Sequence, residues 1–234
     1  MTLRLITFDL DDTLWDVGPV LDTAEAGLLA WLAEHAPELG AAAGERLQHS
    51  KRWVLEQDPD LGGRISELRR RTLRHGLLGA GYAEAEAAAL AEQAFEHFLT
   101  ARQQVSLFPE VLPTLEQLGR QFRLGVLTNG NADVRRIGIA DYFHFAFNAE
   151  ELGVSKPDPR AFHAALAHAE VPAHAAVHIG DHPRDDIRGA QAVGMRAVWV
   201  NPQGKPWEGE GRPDAQIASL AELPALLAAW QAGR

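Results

Sequence analysis

Five short apolar runs, at residues 3–7, 122–128, 143–148, 176–180 and 196–200, constrain this chain more than any other feature. They are near-continuously apolar rather than alternating, so each reads as a strand buried on both faces. Helical patterns lie between and after them, at 110–120, 161–169 and 186–192, with a closing amphipathic stretch marked by Leu220, Leu223, Leu226, Leu227 and Trp230. Asp158 is placed to cap the second of these helices, with Pro159 at its first position and Gly194 closing the third. Buried strands that alternate with helices predict a parallel sheet covered on both sides, an α/β core of three layers.

One block departs from that rhythm. From about residue 20 to 102 the chain is rich in alanine, leucine, arginine and glutamate, and its apolar residues fall at helical spacing. Leu28, Leu29, Trp31 and Leu32 mark one face; Leu90, Ala91, Ala94, Phe95 and Phe98 mark another. Gly62-Gly63 and Gly79-Ala80-Gly81 read as breaks between helices. The expectation is therefore a core of residues 1–16 and 106–234, interrupted at 17–105 by an all-helical domain. The glycine- and proline-dense stretch 201–213 reads as a loop.

Ligands of open α/β sheets bind beyond the carboxyl ends of the strands, and the polar clusters of this chain fall there. Asp9 and Asp11 follow the first strand in Phe8-Asp9-Leu10-Asp11-Asp12-Thr13-Leu14. Neighbouring carboxylates repel, so one holds a proton or both share a cation, and magnesium takes oxygen ligands of this kind. Their spacing suits one carboxylate as a nucleophile toward phosphorus and the next-but-one as a proton donor. Thr128-Asn129-Gly130 offers a hydroxyl and a turn with backbone N–H groups suited to an anion. Lys156, between Ser155 and Pro157-Asp158-Pro159, sits on a stiff loop from which it can neutralise phosphate charge. Asp181 ends the fourth strand as Asp9 ends the first, and can complete a metal shell with Asp186 or Asp185. Taken singly, each cluster also fits a solvated turn or a helix N-terminal acid.

Together, in order and over the whole chain, these four segments resemble the haloacid dehalogenase superfamily of phosphohydrolases, with the helical insertion as its cap. The resemblance implies a Rossmann-like core and a phosphatase using magnesium. Asp9 would form an aspartyl-phosphate, Asp11 would act as acid and then base, and Thr128, Lys156 and the Asn129 backbone N–H would hold phosphoryl oxygens. Asn129 and Gly130 would bind substrate, and Asp9, Asp181, Asp186 and the Asp11 backbone carbonyl would bind the metal. Asp186 is favoured over Asp185 because its offset to Gly189-Ala190 and Gly194 matches the family pattern. Residues 8–16 and the turn at 127–131 look most like bacterial flavin-pathway phosphatases, acting on flavin mononucleotide or its ribitylamino-uracil phosphate precursor. Asp11 favours ester cleavage over 2-haloacid dehalogenation, since a departing halide needs no proton. A phosphomutase would share these residues, whereas a non-catalytic binding protein would be expected to have lost some of them.

Composition narrows the partners. A formal charge of −10 argues against a nucleic-acid polymer but not against a small phosphorylated metabolite in a locally positive pocket. The chain has no cysteine, which excludes disulfides and thiolate chemistry and suits a cytoplasmic protein, monomeric or homodimeric. No apolar stretch approaches a membrane span, and no secretory signal is expected. Trp15 and Asp16 are expected in a flap after the first motif. The arginines at 69–71 and 74 read as a solvated helix face or a grip on an anionic substrate tail, and Trp31 and Trp53 as bundle packing or a stack for an aromatic substrate. His182 is expected beside the metal loop rather than as a ligand.

Overall fold

The computed structural model describes residues 2–233 and divides into two compact units, one of them Val17–Val105 and the other the residues on either side. The flanking unit carries a six-stranded sheet: β1 (Leu5–Phe8), β2 (Arg123–Thr128), β3 (Phe145–Asn148), β4 (Ala176–Gly180), β5 (Arg196–Val200) and β6 (Ala215–Ile217). All its pairings are parallel, in the order β3-β2-β1-β4-β5-β6. The α/β class expected from the apolar runs, Rossmann-like as the resemblance implies, is the class found.

Burial explains the strand composition. Every residue of β1 and β4 is buried. On one face Leu5, Leu127 and Ala176 pack with Phe162, Ala165 and Leu166 of the helix Pro159–Ala169. On the other, Leu124 meets the helix Val111–Gly119. A Cβ at Gly125 would overlap the ring of Phe145, its partner on β3. The chain leaves β1 toward β2 and β3, then crosses back to β4 on the other side. That reversal opens a crevice at the carboxyl ends of β1 and β4.

Two local expectations need correction. The sixth strand, β6, follows the 201–213 loop and was not expected. It is a short edge whose pattern runs from half-buried to exposed to buried. The stretch 186–192 is not one α-helix: a π turn covers Pro183–Arg188 and α-helix only Gly189–Ala192. The N–H groups of Asp186 and Ile187 both reach back to the His182 carbonyl, at 3.0 and 3.4 Å, which widens the turn.

The Val17–Val105 unit contains four α-helices among the described residues: α1 (Val17–His35), α2 (Ala43–Gln57), α3 (Ile65–Gly79) and α4 (Glu84–Arg102). Its core is Leu28 and Leu32 of α1 with Ala91, Ala94, Phe95 and Phe98 of α4, whereas Leu29 and Trp31 are only partly buried. Breaks fall after Gly79 and near Gly62-Gly63. A third, unexpected break lies between α1 and α2, where a 3-10 turn at Pro37–Leu39 ends at left-handed Gly40 (φ 69°). Arg69, Arg71 and Arg74 are paired with Glu25, Glu67 and Glu84, and Arg70 with Glu92 beside a cavity of about 460 Å³. Trp53 stacks on His75 and Trp31 on His35, each at 4.2 Å. No helix among the described residues is long and apolar enough to cross a membrane.

Candidate active site

Asp9 follows β1 directly, its N–H still donating to the Ile179 carbonyl of β4 at 2.9 Å, so the nucleophile candidate is held by the sheet itself. Asp181 leaves β4 at the same edge. Asp186 comes from the π turn, and its carboxylate lies over residue 180, where any Cβ would overlap it; glycine is required there. The carboxylates of Asp9, Asp181 and Asp186 offer oxygens all within 4.8 Å of one another. Lys156 reaches into this group from its loop. Its ammonium donates to Asp9 Oδ1 and to Asp186 Oδ1, each at 2.6 Å. Lys156 is 3% exposed, Asp9 8% and Asp186 1%, so these charges meet out of water.

That loop is positioned by Asn129 in a way the sequence did not suggest. The Asn129 amide donates to the Lys156 carbonyl (2.9 Å) and accepts from the Lys156 N–H (2.8 Å), a two-point clamp between the end of β2 and the lysine backbone. The Gly130 N–H, expected to be offered to an anion, donates to Thr128 Oγ1 at 3.1 Å. It is therefore not a free donor here. Thr128 itself is buried at the end of β2.

The electrostatics follow from burial and from the count of charges. Burial raises the Asp9 carboxyl to about 7, with Lys156 opposing and Asp186 adding to the shift. Burial also raises Asp181, to about 8, helped by Asp186, Asp9 and Asp12. For Asp186 burial acts upward too, but Lys156 and His178 outweigh it and hold the group below the usual carboxylate range. Burial alone would depress the Lys156 ammonium, but Asp186 and Asp9 reverse this and raise it. Three carboxylates against one ammonium leave two negative charges when all are ionised, the charge a divalent cation cancels. Hard carboxylate oxygens of this kind suit magnesium, so the residues present fit a metal. The Asp11 carboxylate lies outside this group and accepts from the Trp15 indole at 2.9 Å. Asp185 also lies outside: its N–H donates to His182 Nδ1, and the His182 ring caps the π turn.

The sequence reading missed His178 and Thr7. His178 is fully buried, 3.0 Å from Asp186 Oδ1 through Nε2 and 2.8 Å from Thr7 Oγ1 through Nδ1. Burial pushes its pKa down, so the neutral ring donates from Nε2 to the Asp186 carboxylate and accepts the Thr7 hydroxyl at Nδ1. The signal was one polar residue inside each of two apolar strands, AVHIG and LITF. Trp199 adds a further brace, its indole donating to the Asp181 carbonyl at 2.7 Å.

A family model described as haloacid dehalogenase-like hydrolase matches residues 3–194. Among curated proteins, 5-amino-6-(5-phospho-D-ribitylamino)uracil phosphatase YigB of Escherichia coli (strain K12) is 33% identical over 229 residues, covering 96% of each chain. Phosphoserine phosphatase of Thermus thermophilus is 32% identical over 247 residues, covering 94% of this chain and 98% of the relative. A solved structure described as a 2-haloacid dehalogenase from Pseudomonas syringae pv. Tomato DC3000 superposes with a TM-score of 0.95 at 57% identity, covering 98% of this chain and 100% of that one.

Proposed function

The chain belongs to the haloacid dehalogenase-like hydrolases, and we propose that it hydrolyses a small phosphate monoester through an aspartyl-phosphate on Asp9. The observation that carries this reading is the group of buried Asp9 and Asp186, both bonded by Lys156, with half-buried Asp181 beside them. Asp9 attacks phosphorus in line; the new Asp9 O–P bond forms as the ester P–O bond breaks. The departing alkoxide takes its proton from Asp11. Asp11 then removes a proton from water, whose oxygen attacks phosphorus and displaces Asp9 with release of inorganic phosphate. Lys156, Thr128 and the Asn129 N–H supply fixed positive charge and donors to the phosphoryl oxygens, the main lever in such transfers. A magnesium ion held by Asp9, Asp181, Asp186 and the Asp11 carbonyl would add positive charge at the same oxygens.

Similarity to the ribitylamino-uracil phosphate phosphatase supports a flavin-precursor phosphate or flavin mononucleotide as substrate. The neighbour described as a dehalogenase supports a second reading, in which Asp9 displaces halide from a 2-haloacid. The two make opposite demands: halide leaves without a proton, and Asp11 would then have no acid role. One panel separates them. It holds phosphate esters including flavin mononucleotide, its precursor phosphate, phosphoserine and phosphoglycolate, together with 2-chloropropionate, each with and without magnesium. We expect magnesium-dependent release of inorganic phosphate from at least one ester and no halide. Halide release with no ester cleaved would replace this reading with the second, and an isomerised ester in place of free phosphate would mark a phosphomutase.

A further inference from the structure

We infer that Trp15 is a positioning residue for proton transfer: its indole N–H holds the Asp11 carboxyl through Oδ1 in one orientation. The inference rests on the reading of Asp11 as acid and base, and it gives a chemical role to a side chain expected only in a flap.

The indole is held too firmly to follow Asp11 about. Trp15 is fully buried, among the largest buried side chains of the chain. Its backbone bridges both Asp11 and Leu107, and the neighbouring Leu14 carbonyl accepts from the Phe108 N–H at 3.0 Å. Between the two residues the turn is closed by the Thr13 and Leu14 N–H groups on the Leu10 carbonyl, at 3.2 and 2.8 Å, around left-handed Asp12 (φ 58°). Any ring motion would have to disturb this pinned turn and the close-packed core around it.

From that seat Nε1 lies 2.9 Å from Asp11 Oδ1, within good hydrogen-bonding distance. Indole is a donor only. That fixed donor on Oδ1 sets the direction in which the Asp11 carboxyl presents its other oxygen. The choice of partner is what separates this from ordinary satisfaction of a buried indole. The Trp199 and Trp207 indoles both donate to backbone carbonyls, which suffices to satisfy an N–H. Trp15 alone of the three donates to an ionisable side chain, and that side chain is the half-buried Asp11.

The test compares kcat/KM, which covers the steps up to phosphoenzyme formation, for two esters: an alkyl phosphate that the wild type turns over, and 2,4-dinitrophenyl phosphate, whose phenolate leaves without a proton. We expect Trp15→Phe to lower the alkyl value about tenfold and the dinitrophenyl value less than about twofold. Benzothienylalanine at position 15 keeps the indole shape without the N–H, and it should behave like Trp15→Phe even where phenylalanine weakens the fold. Equal losses on both esters, or no loss on either, would overturn the inference. Asp11→Asn runs alongside and should show the same selectivity more strongly. If Asp11→Asn is selective and the position-15 variants are not, the role of Trp15 fails alone. If Asp11→Asn is unselective, the acid–base reading fails and takes this inference with it.

Discussion

Asp9→Asn should lose phosphate release by about four orders of magnitude or more while the metal-free protein becomes more stable than the wild type above neutral pH. Asparagine keeps the shape of the side chain but has no carboxylate to attack phosphorus. The stability gain follows from the sign of the Asp9 shift, which burial raises from 3.8 to about 7. Well below pH 3.8 the group is neutral in both the folded and unfolded chains, and the variants should match. Between that range and pH 7 the unfolded chain ionises while the folded site holds its proton, so the wild type loses stability with rising pH. Above about pH 7 the full cost is present, and asparagine, which never ionises, escapes it. Melting curves of metal-free protein from pH 4 to 9 should therefore diverge upward with pH, a trade of stability for activity of the kind seen at strained catalytic sites. Curves that stay superimposed would show that Asp9 is not the burdened carboxylate described here.

Lys156→Met should act in the opposite direction on stability and in the same direction on activity. Methionine fills much of the volume but leaves Asp9 and Asp186 facing one another without the ammonium that bonds both. Asp186 depends on it most, because Lys156 is the chief influence holding that carboxyl low against its own burial. Removing one partner of a buried ion pair costs about 3–5 kcal/mol, or about 10 °C in a chain of this size. Magnesium should recover more of that loss in the variant than it adds to the wild type, since the variant's acids have lost the ammonium that bonded both. Phosphate release should fall by about two to three orders of magnitude. A variant that melts with the wild type and responds equally to magnesium would remove Lys156 from the centre of the site.

Much of this arrangement is legible in the sequence because parallel strands and strand-end ligands leave a strong mark. An apolar run followed by aspartate at residue 9 and again at 181 points to the crevice directly. What escaped reading depends on contacts between distant segments. Asn129 stands in a turn that resembles an anion nest, and only the folded chain shows its amide clamping the Lys156 backbone. His178 is one polar residue in a buried strand, and its meaning needs Thr7 and Asp186 around it. The π turn at 183–188 has no periodic signature, because a single wide turn leaves no repeat to detect. The short edge β6 lies beyond a glycine- and proline-rich loop, where few residues are left to show a pattern.

The most direct measurement captures the covalent enzyme during turnover. Acid-quenched protein, reduced with borohydride, converts an acyl phosphate to the alcohol, so a phosphorylated aspartate becomes homoserine that peptide masses can locate. Homoserine at position 9, and at no other aspartate, is the result this account predicts. Steady release of phosphate with position 9 still an unmodified aspartate, or with homoserine at 11 or 181, would contradict it.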